Sequence, residues 1–152
     1  MAIYERSVLL KAPCAEVYSF HEDPRNISKI SPPSLHLEEV ECRVPASAGE
    51  EFRLSVRQFG VQLEWVGVWE ETVPDERLVD GARKSPFRHW RHQHLFRPAG
   101  EWCLMTDRVS YALPCGMLGR LLDETLMKLI FAIMFSARHK ATAAYFECPG
   151  GR

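Results

Sequence analysis

The sequence predicts an α+β domain in which an antiparallel β-sheet of about seven strands wraps around one long C-terminal helix, with two short helices after the first strand. Three observations predict it. Strand-like runs separated by short turns fill most of residues 35–112. Residues 117–146 are helix-compatible throughout, with no Pro or Gly after Gly119. Between the first strand and the sheet, Pro13 and Asp23-Pro24 mark two helix starts close together.

The elements follow in order. Residues 3–10 are rich in β-branched and aromatic side chains and read as a strand. Pro13 suits the first turn of a helix over residues 13–21, with Val17 and Phe20 inward. Asp23 as N-cap and Pro24 behind it start a second helix, which must stop before Ser31-Pro32-Pro33. Residues 35–42 form a strand, and residues 45–49 a turn. Phe52, Leu54 and Val56 alternate with Arg53, Ser55 and Arg57, the pattern of a half-buried strand. Phe59-Gly60 turns the chain into Val61, Leu63, Trp65, Gly67 and Trp69, where Gly67 leaves room for another group. Residues 77–83 follow the Pro74-Asp75 turn, and a hairpin spans residues 85–114 around the loop 97–101. On the terminal helix, Leu118, Leu122, Leu126, Leu129, Ile133 and Ala137 recur at spacings of three and four, and are expected to face the sheet. Met127, Phe131 and Phe135 then fall on its back, beside Arg120, Lys128 and Arg138. Uncovered, they would suit a homodimer or a shallow peripheral contact with an anionic membrane.

Composition narrows the function. A chain of 152 residues can bury a substantial core as a single domain over 1–152. Nineteen basic residues against 20 acidic ones provide no electrostatic field for nucleic acid. Five Cys with no CxxC spacing argue against a disulfide framework or zinc ribbon and fit a reducing cytoplasm. The N-terminus has no signal-peptide run, and no segment reaches the roughly 18 apolar residues of a membrane span.

The sharpest local signal lies in the hairpin. Trp90, His92, His94 and Phe96 share one face of a strand, and His89, Arg91 and Gln93 the other. A face of Trp, two His and Phe has the character of a pocket wall, mostly apolar with a few polar groups. Two His at i and i+2 can share a metal, but the next carboxylate in sequence, Glu101, lies beyond a proline turn, so no metal or other cofactor is assigned. Asp107 has the parity of Val109 and Tyr111 on the partner strand. The simpler reading pairs it with Arg91, Arg108 or another arginine on the sheet surface; the other is an Asp–His hydrogen bond that orients an imidazole for acid–base work. His92, His94 and Asp107 are thus the only catalytic candidates. No activated serine is legible at Ser85 or Ser110.

Beside this reading stand His21, Asp23-Pro24, Asn26, the Lys29-Ile30 to Pro33 turn, Phe59-Gly60, Val79-Asp80, Ser85-Pro86-Phe87, Trp90, His92, His94, Phe96, Thr106-Asp107, Val109, Tyr111, Leu113-Pro114 and Gly119. With these residues the chain resembles the START-like, helix-grip superfamily of polyketide cyclases, aromatase/cyclases and lipid binders. It is most similar to that superfamily's small bacterial ligand-binding members. The resemblance implies a helix-grip fold and a cavity between sheet and C-terminal helix for a small hydrophobic or amphipathic ligand. Its expected lining is Leu54, Val56, Leu63, Trp65, Trp90, His92, His94, Asp107, Val109, Tyr111, Leu126, Leu129 and Ile133. Two alternatives stand beside binding: a polyketide cyclase/dehydratase-like enzyme using polar cavity residues, and a protein–protein adaptor with a vestigial cavity.

Overall fold

Alternation at the N-terminus produces β1, Ala2–Leu10, in which Ala2 and Leu10 are buried while Ile3 and Leu9 face outward. The structure, a computed structural model, describes residues 1–58, 60–114 and 123–147. Pro13 sits in extended backbone as the N-cap of α1, Cys14–His21. Asp23 then accepts a hydrogen bond from the Arg25 backbone N–H at the head of a 3-10 turn, Pro24–Asn26. This turn leads into the single-turn α2, Ile27–Ile30, which ends at Ser31 ahead of the two prolines.

Six further strands complete the sheet: β2 Leu35–Glu41, β3 Glu51–Gln58, β4 Val61–Val73, β5 Arg77–Lys84, β6 His89–Ala99 and β7 Trp102–Ala112. The order is β1-β7-β6-β5-β4-β3-β2, and every pairing is antiparallel. Only β1 leaves its sequence neighbours, to lie beside β7. The β6–β7 connection is tighter than the expected five-residue loop, because Gly100 takes a left-handed φ of 67°. Gly67 is required by packing: a Cβ there would lie 2.2 Å from Phe52 Cζ. A π-helical turn, Asp123–Met127, precedes α3, Lys128–Glu147. The expected first turns of this helix, with Met117, Leu118, Gly119, Arg120 and Leu122, lie outside the described residues.

α3 presents the opposite face to the one its aliphatic stripe implies. Phe131, Phe135, His139, Thr142 and Phe146 are buried, at spacings of four, four, three and four. Leu126, Leu129 and Ile133 are 50%, 59% and 65% exposed, and Ala137 is exposed too. They therefore line no cavity under the helix. The surface patch expected at Phe131 and Phe135 is absent, because the sheet covers both rings, and the basis for a dimer or membrane contact there goes with it. The reason is chemical: the buried face carries His139 and Thr142, which lower its apparent hydrophobicity but find partners inside.

The interior has two apolar clusters. One joins α1, α2 and the end of α3 to the sheet through Leu10, Tyr18, Phe20, Leu78, Phe96, Met105 and Phe146. In it the Cys14 and Cys103 thiols touch, their sulfurs 2.8 Å apart. The second joins Val109 and Tyr111 to Phe131 and Phe135. Along β7 the boundary falls between Met105 and Val109, at Asp107; along β6 it falls between Phe96 and Trp90, at His94 and His92.

Candidate functional site

Strand register builds the site. On β6 the inward parity carries Trp90, His92, His94 and Phe96. Opposite them on β7 lie Tyr111, Val109, Asp107 and Met105. On the other flank, β5 sets Asp80 opposite His92 and Leu78 opposite His94. α3 closes the group from above with Phe135 and His139. His92 packs edge-on against the Phe135 ring, with centroids 5.6 Å apart.

Asp107 is the centre. It is 1% exposed and receives three imidazoles. His92 Nε2 lies 2.9 Å from Oδ1, and His139 Nε2 lies 2.5 Å from Oδ2. His94 Nδ1 is 2.7 Å from Oδ1, but it lacks the direction of a hydrogen bond; this is a close ionic contact rather than a third bond. Burial by itself would raise the Asp107 carboxyl. The charge and close contact of His94 and the bonds from His139 and His92 outweigh it and hold the group well below the ordinary carboxylate range. Asp107 is therefore an ionised acceptor, and the nitrogens facing it carry the protons. The alternative pairing with arginines does not occur: Arg91 binds Glu70 and Glu71, and Arg108 lies beside Glu5.

Asp80 stands on the far side of His92, its Oδ2 3.6 Å from His92 Nδ1. Its other oxygen accepts a bond from the Trp90 indole N–H at 3.3 Å. Burial pushes its carboxyl up to about 6, against the lowering effects of His94 and Trp90. Arg138 on α3 adds positive charge: burial lowers its pKa, while Asp107 and Asp80 act to raise it. As a whole residue Arg138 is only half-buried. Its Nε, however, is sealed from solvent with no hydrogen-bond partner among the described residues, as is His139 Nδ1. His21 reaches the same group from α1, its ring 5.1 Å from that of His94. Burial, reinforced by the charge of His94, drives His21 down to about 3, while its Nδ1 bonds the Val17 carbonyl at 2.7 Å. Burial lowers His94 as well.

Sequence reading finds His92, His94 and Asp107 and misses Asp80, Arg138, His139 and His21 as members of one group. Asp80 and His21 are visible only as part of the family resemblance. His139 has one local signal, its place four residues after Phe135 on the buried helix face.

The apolar candidates divide. Val109 and Tyr111 are fully buried beneath α3. Leu54, Val56, Leu63 and Trp65, on β3 and β4, are half-buried, as is Trp90. Trp65, Phe87 and Trp90 form an aromatic wall with ring centroids 4.9 to 6.3 Å apart. Leu126, in the π-helical turn, and Leu129 and Ile133, on α3, face outward and take no part. Two open clefts of the described surface lie elsewhere. One is a polar notch by Cys42, Arg43 and Glu50; the other, about 450 Å³, lies between Arg6 and the Ile133–Lys140 side of α3. Neither is the expected cavity between sheet and helix.

A family model described as polyketide cyclase / dehydrase and lipid transport matches residues 10–137. The chain belongs to this family. No curated protein sequence matches it. Solved structures of the same helix-grip fold are numerous. Protein CV1439 from Chromobacterium violaceum is 17% identical, with 96% of this chain and 97% of that one covered at a TM-score of 0.74. The Zhui aromatase/cyclase from Streptomyces sp. R1128 is 17% identical, with 99% of each chain covered at a TM-score of 0.72. The di-domain ARO/CYC StfQ from the steffimycin biosynthetic pathway is 12% identical at a TM-score of 0.75, with 95% of this chain covered and 50% of that one. At these identities the family's fold is shared. No described helix is long and apolar enough to cross a membrane.

Proposed function

We propose that this protein binds a small hydrophobic or amphipathic molecule against the concave sheet, apolar body on β3–β4 and polar end toward Asp80 and His92. One observation carries the reading. The half-buried apolar face of Leu54, Val56, Leu63 and Trp65 continues through Trp90 into a buried carboxylate, Asp80, which Trp90 itself holds. An apolar wall ending in a few convergent polar groups is what amphipathic ligands require. The family description, which includes lipid transport, supports the same reading. Free thiols at Cys14, Cys42 and Cys103 suit a reducing, cytoplasmic setting.

The test is native mass spectrometry of the purified protein, followed by tryptophan-fluorescence titration with amphipathic aromatic and acyl compounds. A co-purifying small molecule and saturable quenching are expected. Trp65→Ala should weaken binding by roughly tenfold or more, the loss of a large buried contact. If nothing co-purifies and no compound perturbs the fluorescence, binding is not the function, and the adaptor reading takes its place.

A cyclase/dehydratase-like enzyme is the second reading, favoured by the His92–Asp107 bond and by an Asp80 carboxyl whose pKa of about 6 suits acid–base work near neutrality. Known structures named as aromatase/cyclases share the fold. An enzyme loses turnover but keeps ligand affinity in His92→Gln and Asp80→Asn; a binder has no turnover to lose.

A further inference from the structure

We propose that Asp80, His92 and His94 form a binding site for one divalent transition-metal ion, with zinc the natural occupant, held on the inner face of β5 and β6.

The first argument is the tautomer of His92. The Asp107 carboxylate accepts the 2.9 Å hydrogen bond from His92 Nε2, which places the proton on that nitrogen. Nδ1 is then left as a lone pair, and it faces Asp80 Oδ2 at 3.6 Å. Two acceptors point at each other across a distance too long for a hydrogen bond. It is close to the spacing of two ligands of one cation: metal–ligand bonds of about 2.0–2.1 Å at tetrahedral angles put neighbouring ligand atoms about 3.3–3.5 Å apart.

The second argument is convergence. One ligand atom from each of Asp80, His92 and His94 falls within 4.8 Å of the others, Asp80 and His92 being buried and His94 partly so. His92 and His94 project the same way at i and i+2, and Asp80 is the cross-strand neighbour of His92.

The third argument is the surrounding support. Metal-bound imidazoles characteristically donate their second N–H to a carboxylate, which fixes the ring and raises its basicity. Asp107 does this for His92 and lies 2.7 Å from His94. Trp90 holds the non-facing oxygen of Asp80. Three protein ligands with nitrogen and oxygen donors leave at least one position open, the pattern of sites where a metal polarises an oxygen of a bound molecule.

The experiment uses the whole chain, stripped with chelator and then titrated with Zn²⁺ and with Co²⁺, and no organic ligand. One equivalent should bind. The Co²⁺ form should show visible bands of nitrogen and oxygen coordination. Asp80→Asn and His92→Gln should each lower affinity at least tenfold, and Asp107→Asn by about 10–100-fold through the loss of ring support. Circular dichroism identifies any variant that fails to fold, and the wild-type stoichiometry and Co²⁺ spectrum then decide alone. No stoichiometric uptake, unchanged affinity in folded Asp80→Asn, or a thiolate charge-transfer band that points to the cysteines would overturn the proposal. Because the readout is metal alone, that failure leaves binding of an apolar molecule untouched, and the converse also holds.

Discussion

Asp107 shows how a single carboxylate organises an interior that would otherwise be aromatic. Removing its charge while keeping its shape leaves His92, His94 and His139 facing a group that can no longer accept from all of them. Breaking one partner of a buried charged group costs about 3–5 kcal/mol, so Asp107→Asn should lower urea-unfolding stability by that order. His139→Gln keeps a donor near the same place and should cost less, about 1–3 kcal/mol. A loss under 0.5 kcal/mol in Asp107→Asn would mean that the imidazoles stabilise each other through other contacts, and the cluster would lose its centre.

On the scale of elements, α3 separates hydrophobic pattern from burial. Its most aliphatic stripe faces outward, and its buried line passes through Phe135, His139 and Thr142. A paired test follows. Phe135→Ala should cost about 3–5 kcal/mol, the range for truncating a buried aromatic. Ile133→Ser, a larger change in hydrophobicity at a position 65% exposed, should stay within about 0.5 kcal/mol. Equal costs at the two positions would show that the helix is rotated from the orientation described. The hairpin β6–β7 is the contrasting case. Its two strands follow their sequence alternation without interruption, because the tight Gly100 turn locks the register and the register selects the face.

At the scale of the whole molecule, the buried titrating groups set a pH dependence whose sign can be worked out. His21, ordinarily near 6.5, is pushed to about 3 by burial, and His94 is lowered too. Between those values and 6.5 the unfolded chain binds protons that the folded chain refuses, so stability rises with pH. Asp107, held below its ordinary value, adds in the same direction at the acid end, being lost as pH falls from 3.8 through its folded value. Asp80 opposes them: raised from 3.8 to about 6, it binds a proton when folded, and that contribution is lost as pH rises through about 6. The imidazoles outweigh it, and unfolding free energy should increase by about 1–3 kcal/mol between pH 4.5 and 6.5. Asp80→Asn should steepen the rise. A flat or falling profile in denaturant titrations over that window would contradict the burial of His21 and His94.

Much of this molecule is written locally. Strand alternation, proline and glycine punctuation and the Asp23 cap are short-range properties, and they suffice for the antiparallel order, the two short helices and the long final one. The same alternation brings His92, His94 and Asp107 to one side of one hairpin, since parity is a property of a strand alone. What the sequence could not supply is any choice made between elements. The rotation of α3 about its axis depends on which of two amphipathic faces finds partners, and His139 is acceptable inside only because Asp107 on a distant strand waits for it. Asp80 joins the His pair through the β5–β6 register, which couples residues 12 apart in sequence and has no periodic signature. Local patterns thus determine where the chain is strand or helix. Tertiary packing, by pairing buried polar groups that would each be costly alone, decides which of those surfaces becomes the site.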